Sequence, residues 1–224
     1  MAQGSRPKDA EEYDATPYVP EGGGLKALRE GAAGCHGCPL YREATQTVFG
    51  SGKASARVVL VGEQPGDQED RQGTPFVGPA GGVLTRALGE AGIEPAQAYI
   101  TNAVKHFKFE QALRGKRRIH KAPSLREISA CKPWLAAELR LVAPEVVVAL
   151  GATAGKSLFG SSFRVSEQRG VALPMPSLDG GGDGHGMLVA TIHPSAVLRA
   201  DDAERAAAYA GLVSDLKVAA QLLQ

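Results

Sequence analysis

The sequence has few cysteines and few aromatic residues, and it contains no long apolar run. It has 224 residues, of which 3 are cysteines and 5% are aromatic. Three cysteines cannot all pair with one another, so metal ligation or free thiols are favoured over a disulfide framework. No apolar run approaches the roughly 20 residues of a membrane span, and no hydrophobic signal region opens the chain. We therefore expect a cytoplasmic protein without membrane contact, and the absence of heptads or a long apolar surface helix favours a monomer.

Charge is distributed unevenly along the chain. The formal net charge is only +1, but the basic stretch of residues 104–124 (VKHFKFEQALRGKRRIHKAPS) holds seven of the 25 Lys and Arg residues and a single carboxylate, Glu110. Local basicity of this kind predicts a polyanionic partner, because each cation placed near a phosphate releases counterions. Residues 1–24 are instead acidic and rich in proline and glycine. They are predicted to form a mobile tail before a single domain at residues 25–224.

Apolar runs typical of buried parallel strands alternate with helical patterns. Strands are predicted at residues 57–62, 98–104, 145–150 and 187–192, and helices at 82–91, 124–142, 152–159 and 202–223. Ser124 followed by Glu127 is a capping pair for the second helix. Residues 164–173 are predicted to form a hairpin. This alternation indicates an α/β sandwich around a mostly parallel sheet of four strands.

Polar residues follow three of these strands, where ligands bind in parallel sheets. Glu63 and Gln64 come after the first strand, Asn102 ends the second, and His193 follows the fourth. Each has an ordinary structural explanation: Glu63 as a turn cap, Asn102 as a partner for backbone, and His193 before Pro194 as a rigid corner. Their joint placement at one mouth of the sheet favours a binding or catalytic site.

A second group of residues suggests a metal site. Cys35 and Cys38 form a CxxC pair, and Cys131 lies 25 positions after His106. By spacing, this set is typical of structural zinc, because iron–sulfur clusters more often take four thiolates. His36, inside the CxxC pair, is a rival ligand.

Several motifs together resemble the uracil-DNA glycosylase superfamily, in particular its iron–sulfur branch. The motifs are Gly62-Glu-Gln-Pro-Gly-Asp67, Gly73-Thr-Pro-Phe-Val-Gly-Pro-Ala-Gly81, Thr101-Asn-Ala-Val-Lys105 and His193-Pro-Ser195. The finer resemblance is to the UdgX type, through Gln64, His106 and the loop Gly115-Lys-Arg-Arg-Ile-His120. It implies a three-layer α/β/α sandwich around a four-stranded, mostly parallel sheet, and a protein that removes uracil from DNA.

The resemblance also implies roles for individual residues. It assigns a [4Fe–4S] cluster to Cys35, Cys38, His106 and Cys131, and zinc, which the spacing indicates, is kept as the alternative. It assigns uracil binding to Gln64, Phe76 and Asn102, and the donor to the uracil oxygen to a neutral His193. Lys116, Arg117, Arg118 and Arg199 are assigned to the DNA. The target nucleotide is expected to be flipped out of a duplex or already single-stranded.

His120 distinguishes the alternative functions. In the UdgX type the corresponding histidine attacks the sugar C1′ and stays attached to it, with Glu63 as the carboxylate that orients the imidazole. A conventional hydrolytic glycosylase, in which His120 only contacts phosphate, is the second hypothesis. A metal-stapled single-strand binding module without catalysis is the third, although 5% aromatic residues provide little for stacking bases.

Overall fold

A five-stranded sheet runs through the centre of the computed structural model, which describes residues 13–113, 115–178 and 184–224. The strands of the chain are β1 (Val58–Gly62), β2 (Ala98–Asn102), β3 (Phe109–Gln111), β4 (Arg118–His120), β5 (Val146–Leu150), β6 (Ala172–Pro174) and β7 (Met187–Thr191). The sheet has the order β2-β1-β5-β7-β6. Its first four members are parallel, and β6 pairs antiparallel with β7 at one edge. Strands β3 and β4 form a separate antiparallel hairpin.

Helices cover both faces of this sheet. They are α1 (Gly24–Ala33), α2 (Asp67–Gln72), α3 (Pro79–Ala91), α4 (Leu125–Val142), α5 (Ala152–Phe159), α6 (Val165–Gln168), α7 (Pro194–Arg199) and α8 (Asp202–Gln221). One apolar core joins the strands to α3 and α8, and a second joins the opposite face to α4 and α5. The chain is thus a three-layer α/β/α sandwich, as expected.

The four predicted strands are all present, and the sheet has one strand more than predicted. The predicted hairpin at residues 164–173 is wrong, because residues Val165–Gln168 form a helical turn and Ala172–Pro174 pair with β7. Strand β6 has only three residues and ends in Pro174, which is tolerated at an edge where no partner requires its N–H. A segment of three residues is too short to show the alternating hydrophobic pattern of a strand.

The long helix α4 begins where its capping residues predict. The Ser124 side chain accepts from the backbone N–H of Glu127, and the Glu127 carboxylate accepts from the backbone N–H of Ser124. These reciprocal bonds satisfy two donors that a helix start otherwise leaves unpaired. They also fix the point at which the basic stretch ends and the core helix begins.

Part of the expected N-terminal tail is packed against the domain. Residues 1–12 lie outside the described part of the chain, but Ala15 is buried and its backbone N–H donates to the carbonyl of Ala130 on α4. Thr16–Tyr18 form a short 3₁₀ turn beside the same helix. The boundary of the domain therefore lies before residue 25. None of the described helices has the length and apolarity needed to cross a bilayer.

Candidate active site

A cleft of about 690 Å³ opens at the carboxyl ends of the parallel strands. The chain leaves β1 for β2 and then crosses back over β1 to β5, so the crevice between β1 and β5 is the topological switch point, where such sheets bind ligands. Seven residues singled out from the sequence line this cleft: Glu63, Gln64, Phe76, Asn102, His120, His193 and Arg199. The structure thus brings together side chains that are up to 136 positions apart, from Glu63 to Arg199.

The Glu63 carboxylate lies between the side chains of Thr153 and His120. Its Oε2 atom accepts a hydrogen bond from the Thr153 hydroxyl in the first turn of α5. Its Oε1 atom lies 3.5 Å from Nε2 of His120, where the carboxylate would attract the imidazole once that ring carries a positive charge. The His120 side chain is 49% exposed at the mouth of the cleft, so a ligand can reach the imidazole.

Gln64 attaches the β3–β4 hairpin to the end of β1. Its amide nitrogen contacts the carbonyls of Lys108 and Lys121 and Nε2 of His120, at 3.0–3.1 Å. Its amide oxygen accepts from the backbone N–H of Lys108 at 3.1 Å. Both ends of this buried amide have protein partners, and one of these is the imidazole of His120. Gln64 also lines the cleft, and the uracil contact expected of it stays a prediction.

Arg118 also holds the hairpin in place. Its guanidinium pairs with Asp67 and, at 2.6 Å, with the fully buried Asp70. The same group lies over the rings of Phe107 and Phe109, 5.3 and 4.9 Å from their centroids. The side chain is only 10% exposed. Arg118 was expected to contact DNA phosphates, but its donors are directed into the protein.

Three further cations of the basic stretch also have carboxylate partners, although the pair of Lys121 is exposed. Lys105 pairs with Glu138, Lys108 with Glu127, and Lys121 with Glu110. Arg114 falls outside the described residues. In the portion of the stretch that the structure describes, Lys116 and Arg117 are exposed and form no ion pair, so both are available to an external phosphate.

His193 is held as a neutral hydrogen-bond donor. Burial, with Arg199 and His120 nearby, lowers the pKa of His193 to about 4. Its Nδ1 accepts from the backbone N–H of Ser195 at 3.1 Å and contacts the Ser195 hydroxyl, which in turn accepts from Arg199. With Nδ1 acting as acceptor, the ring proton of neutral His193 resides on Nε2. The group lining the cleft is therefore an uncharged imidazole with one N–H to donate.

Asn102 and Phe76 approach each other across Gly62. A Cβ atom at Gly62 would lie 2.3 Å from Asn102 Oδ1 and 2.7 Å from the Phe76 ring, so only glycine allows this approach. Phe76 has φ = 56°, in the left-handed region that a non-glycine residue seldom adopts. Its ring lies 5.9 Å from that of His193. The aromatic face, the amide and the imidazole therefore border one space.

Glu69 is a site residue that sequence analysis missed. Its two carboxylate oxygens accept from the backbone N–H groups of Gly66 and Gly78, at 3.1 and 2.8 Å. One side chain thus ties the loop after β1 to the loop that carries Phe76. The sequence contains a local indication of this role, because Glu69 lies three residues after Gly66 at the start of α2. This is the spacing of a capping box.

The three cysteines are buried beside α1 and α4. Cys35 Sγ accepts from the indole N–H of Trp134, and Cys131 Sγ accepts from the backbone N–H of Lys105, both at 3.3 Å. Burial raises the pKa of Cys131 to about 12, with smaller contributions from the other two thiols, and it also raises that of Cys38. Within the described ranges, no three His, Cys, Asp or Glu side chains converge closely enough to form a metal site.

His106 has a nitrogen suited to ligation. The Thr47 hydroxyl donates to the carbonyl of Ala32, so it acts as an acceptor towards Nε2 of His106, 2.9 Å away. The proton of the neutral ring then resides on Nε2, and Nδ1 carries a lone pair. Outer hydrogen bonds of this kind fix the orientation of ligating histidines, and N–H donors to sulfur accompany cluster thiolates. In its chemistry, the donor set fits a cluster or zinc.

Comparison with known proteins identifies relatives over most of the chain. The model of the Uracil DNA glycosylase superfamily matches residues 49–217. A Type-4 uracil-DNA glycosylase of Thermotoga maritima is 37% identical over 175 residues, which cover 78% of this chain and 83% of that protein. A protein of the same description from Pyrobaculum aerophilum is 33% identical over 175 residues, 78% of this chain and 85% of its own length. A third, from Sulfurisphaera tokodaii, is 35% identical over 136 residues.

Proposed function

This chain belongs to the uracil-DNA glycosylase superfamily, and from that premise we propose that it removes uracil from DNA by breaking the bond between the base and the sugar C1′. The observation that carries this proposal is the cleft in which Glu63, Phe76, Asn102 and His193 meet. Breaking this bond leaves negative charge on the uracil ring and positive charge on the sugar. In the cleft, His193 offers an N–H donor for the negative uracil, and Glu63 offers a carboxylate for the positive sugar.

The base would be recognised by three of these side chains. Phe76 would stack on the ring, and the Asn102 amide would pair with the adjacent N–H and carbonyl of uracil, since an amide both donates and accepts. The Nε2–H group of His193 would donate to a uracil oxygen as that oxygen gains charge. A donor fixed by Ser195 needs no reorientation during the reaction, which is how preorganised groups favour the transition state.

The reacting base must leave the helical stack to reach this cleft. We propose that the substrate is a flipped-out or single-stranded deoxyuridine, because base and sugar both have to enter the crevice. Lys116 and Arg117, exposed at the tip of the hairpin, would contact the flanking phosphates together with Arg199 at the rim. Such contacts position the strand without reading its sequence.

The reaction is proposed to end with DNA attached to His120. One nitrogen of the neutral imidazole forms a bond to C1′ while the bond from C1′ to the base breaks, and the electron pair of that bond leaves with uracil. The resulting imidazolium gives up its remaining N–H proton to solvent, from which the uracil anion takes one. Glu63, 3.5 Å from the imidazole, would stabilise both the positive sugar and the imidazolium. Exposure of His120 at the cleft favours this role over a purely structural one.

We further propose that Cys35, Cys38, His106 and Cys131 hold a [4Fe–4S] cluster, with zinc as the alternative. Bound there, the group would supply a structural crosslink, since hydrolysis or transfer at C1′ requires no redox change. The ligands would tie α1, the start of the basic stretch and α4 together. Iron and sulfide analysis of protein purified without oxygen, together with its visible absorption, would distinguish the two metals.

Incubation with a uracil-containing oligonucleotide tests the activity. After denaturation, wild-type protein is expected to show a gel-shifted DNA adduct and an equivalent amount of free uracil. The variant His120→Ser should lose the adduct and still release some uracil, because Asn102, Phe76 and His193 remain. A thymine-containing oligonucleotide serves as the control.

Other outcomes would favour the other functions. Free abasic DNA from wild-type protein would indicate the hydrolytic glycosylase, and intact substrate a binding module. If His120→Ser formed the adduct at full yield, another residue would be the nucleophile.

A further inference from the structure

Thr153 supports Glu63 at the switch point of the sheet. Strands β1 and β5 are parallel neighbours, with Val61 paired to Ala149, so the chain leaves both strands at the same edge. Glu63 follows β1, and Thr153 lies in the first turn of α5, which follows β5. The Thr153 hydroxyl donates to Oε2 of Glu63, leaving Oε1 as the oxygen that faces His120.

The first turn of α5 has little freedom to move. Gly151, which caps this helix, has φ = 90°, and its N–H donates to the carbonyl of Thr191 at the end of β7. A Cβ atom at Gly151 would lie 3.0 Å from Cβ of His193, so the turn packs directly against the residue that bears the proposed donor. Thr153 is therefore carried by backbone that is held against β7 and His193, on the β5 side of the crevice.

The Thr153 hydroxyl is not used to cap its own helix. Hydroxyl side chains near a helix start commonly accept from backbone N–H groups, but the N-cap of α5 is Gly151, and no side chain caps the helix. The hydrogen bond of Thr153 reaches instead to a carboxylate 90 positions earlier in the chain. The bond is thus tertiary, and it serves the acidic residue of the cleft.

We propose that Thr153 is a positioning residue that fixes the orientation of the Glu63 carboxylate towards the nucleophile. The terminal torsion of a glutamate is broad, so a carboxylate with one anchored oxygen presents the other in a defined direction, and a carboxylate without an anchor does not. The inference rests on the proposed function, because it assigns Thr153 to the step in which His120 attacks C1′. Thr153 itself touches neither base nor sugar.

Two substitutions separate the hydroxyl from the shape of the side chain. Thr153→Val keeps the branched shape and removes the donor, and Thr153→Ser keeps the donor. Under single-turnover conditions, we expect Thr153→Val to form the adduct about 10-fold more slowly, the size expected for loss of one hydrogen bond to a charged group. Thr153→Ser should stay within about 3-fold of wild type. The dissociation constant for DNA should be the same in all three proteins.

A double-mutant cycle tests whether the effect passes through Glu63. In a Glu63→Gln background, Thr153→Val should have no further effect on the rate, because the carboxylate that it orients is gone. Equal rates for wild type and Thr153→Val would overturn the proposal. So would equal losses in the Val and Ser variants, or a full 10-fold loss in the Glu63→Gln background.

The proposed function can fail separately from this inference. If wild-type protein releases uracil and yields only free abasic DNA, covalent capture is wrong. The rate of uracil release by the Thr153 variants then tests the positioning role. An about 10-fold slower release by Thr153→Val, with a rate near that of wild type for Thr153→Ser, would support it. If wild-type protein releases no uracil, both proposals are overturned.

Discussion

Replacing Arg118 by methionine distinguishes a structural lock from a DNA contact. Arg118 pairs with Asp70, whose side chain is 0% exposed. The Asp70 carboxylate also accepts a hydrogen bond from the backbone N–H of Thr45. Removing one partner of a buried ion pair leaves the other charge without compensation, at a cost of about 3–5 kcal/mol. In a domain of this size, each kcal/mol lowers the melting temperature by roughly 2–4 °C. Arg118→Met should therefore melt on the order of 10 °C below wild type.

The exposed neighbour Arg117 is the matched control for this experiment. Arg117→Met should leave stability within about 0.5 kcal/mol of wild type, as surface substitutions usually do. It should also reduce the salt dependence of DNA affinity by about one unit. Thermal and urea unfolding, with DNA titrations at several salt concentrations, provide both measurements. If Arg118→Met had wild-type stability and a reduced salt dependence, Arg118 would face phosphate and the lock would be refuted.

Two further predictions concern buried groups. Because the pKa of His193 is lowered to about 4 from an unfolded value of 6.5, the unfolded chain binds a proton between these values that the folded protein does not. Wild-type stability should therefore fall as pH decreases from 6.5 towards 4, more steeply than that of His193→Gln, and equal slopes in urea unfolding would contradict the assignment. Lys105→Met leaves Glu138 buried without its cation and should cost about 3–5 kcal/mol, whereas Lys105→Met combined with Glu138→Gln should recover a large part of the loss. Urea unfolding of both variants tests this, and a double variant as unstable as the single one would refute it.

The central strands could be predicted from the sequence because buried parallel strands are continuous apolar runs. The strand-end residues could be predicted too, since topology alone directs the ends of parallel strands to one edge. Strand β6 and helix α2 could not, because three residues ending in proline and a short charged helix lack a hydrophobic period. Strand β6 forms through its pairing with β7, which is a tertiary contact.

Sequence patterns did not predict which side chains the site residues contact. Thr153 meets Glu63 only because β1 and β5 are neighbours in the sheet, and that pairing has no local signature. The role of Arg118 depended on Asp67 and Asp70, acidic residues about 50 positions earlier in the chain. A charge run shows how many cations are present, but not how many of them have intramolecular partners.

This difference changes what the basic stretch contributes to DNA binding. Seven phosphate contacts would make affinity fall steeply with salt, since each contact contributes about 0.7–0.9 to the slope. Four of the seven cations are instead paired with carboxylates of the same chain, at Glu138, Glu127, Glu110 and the Asp67–Asp70 pair. The pairs of Arg118 and Lys108 connect the hairpin that carries His120 to α2 and α4, whereas the pair of Lys105 and Glu138 lies inside the core. Selectivity for a substrate must then come from the cleft, where a neutral imidazole, an amide and an aromatic ring meet, more than from attraction to the DNA backbone.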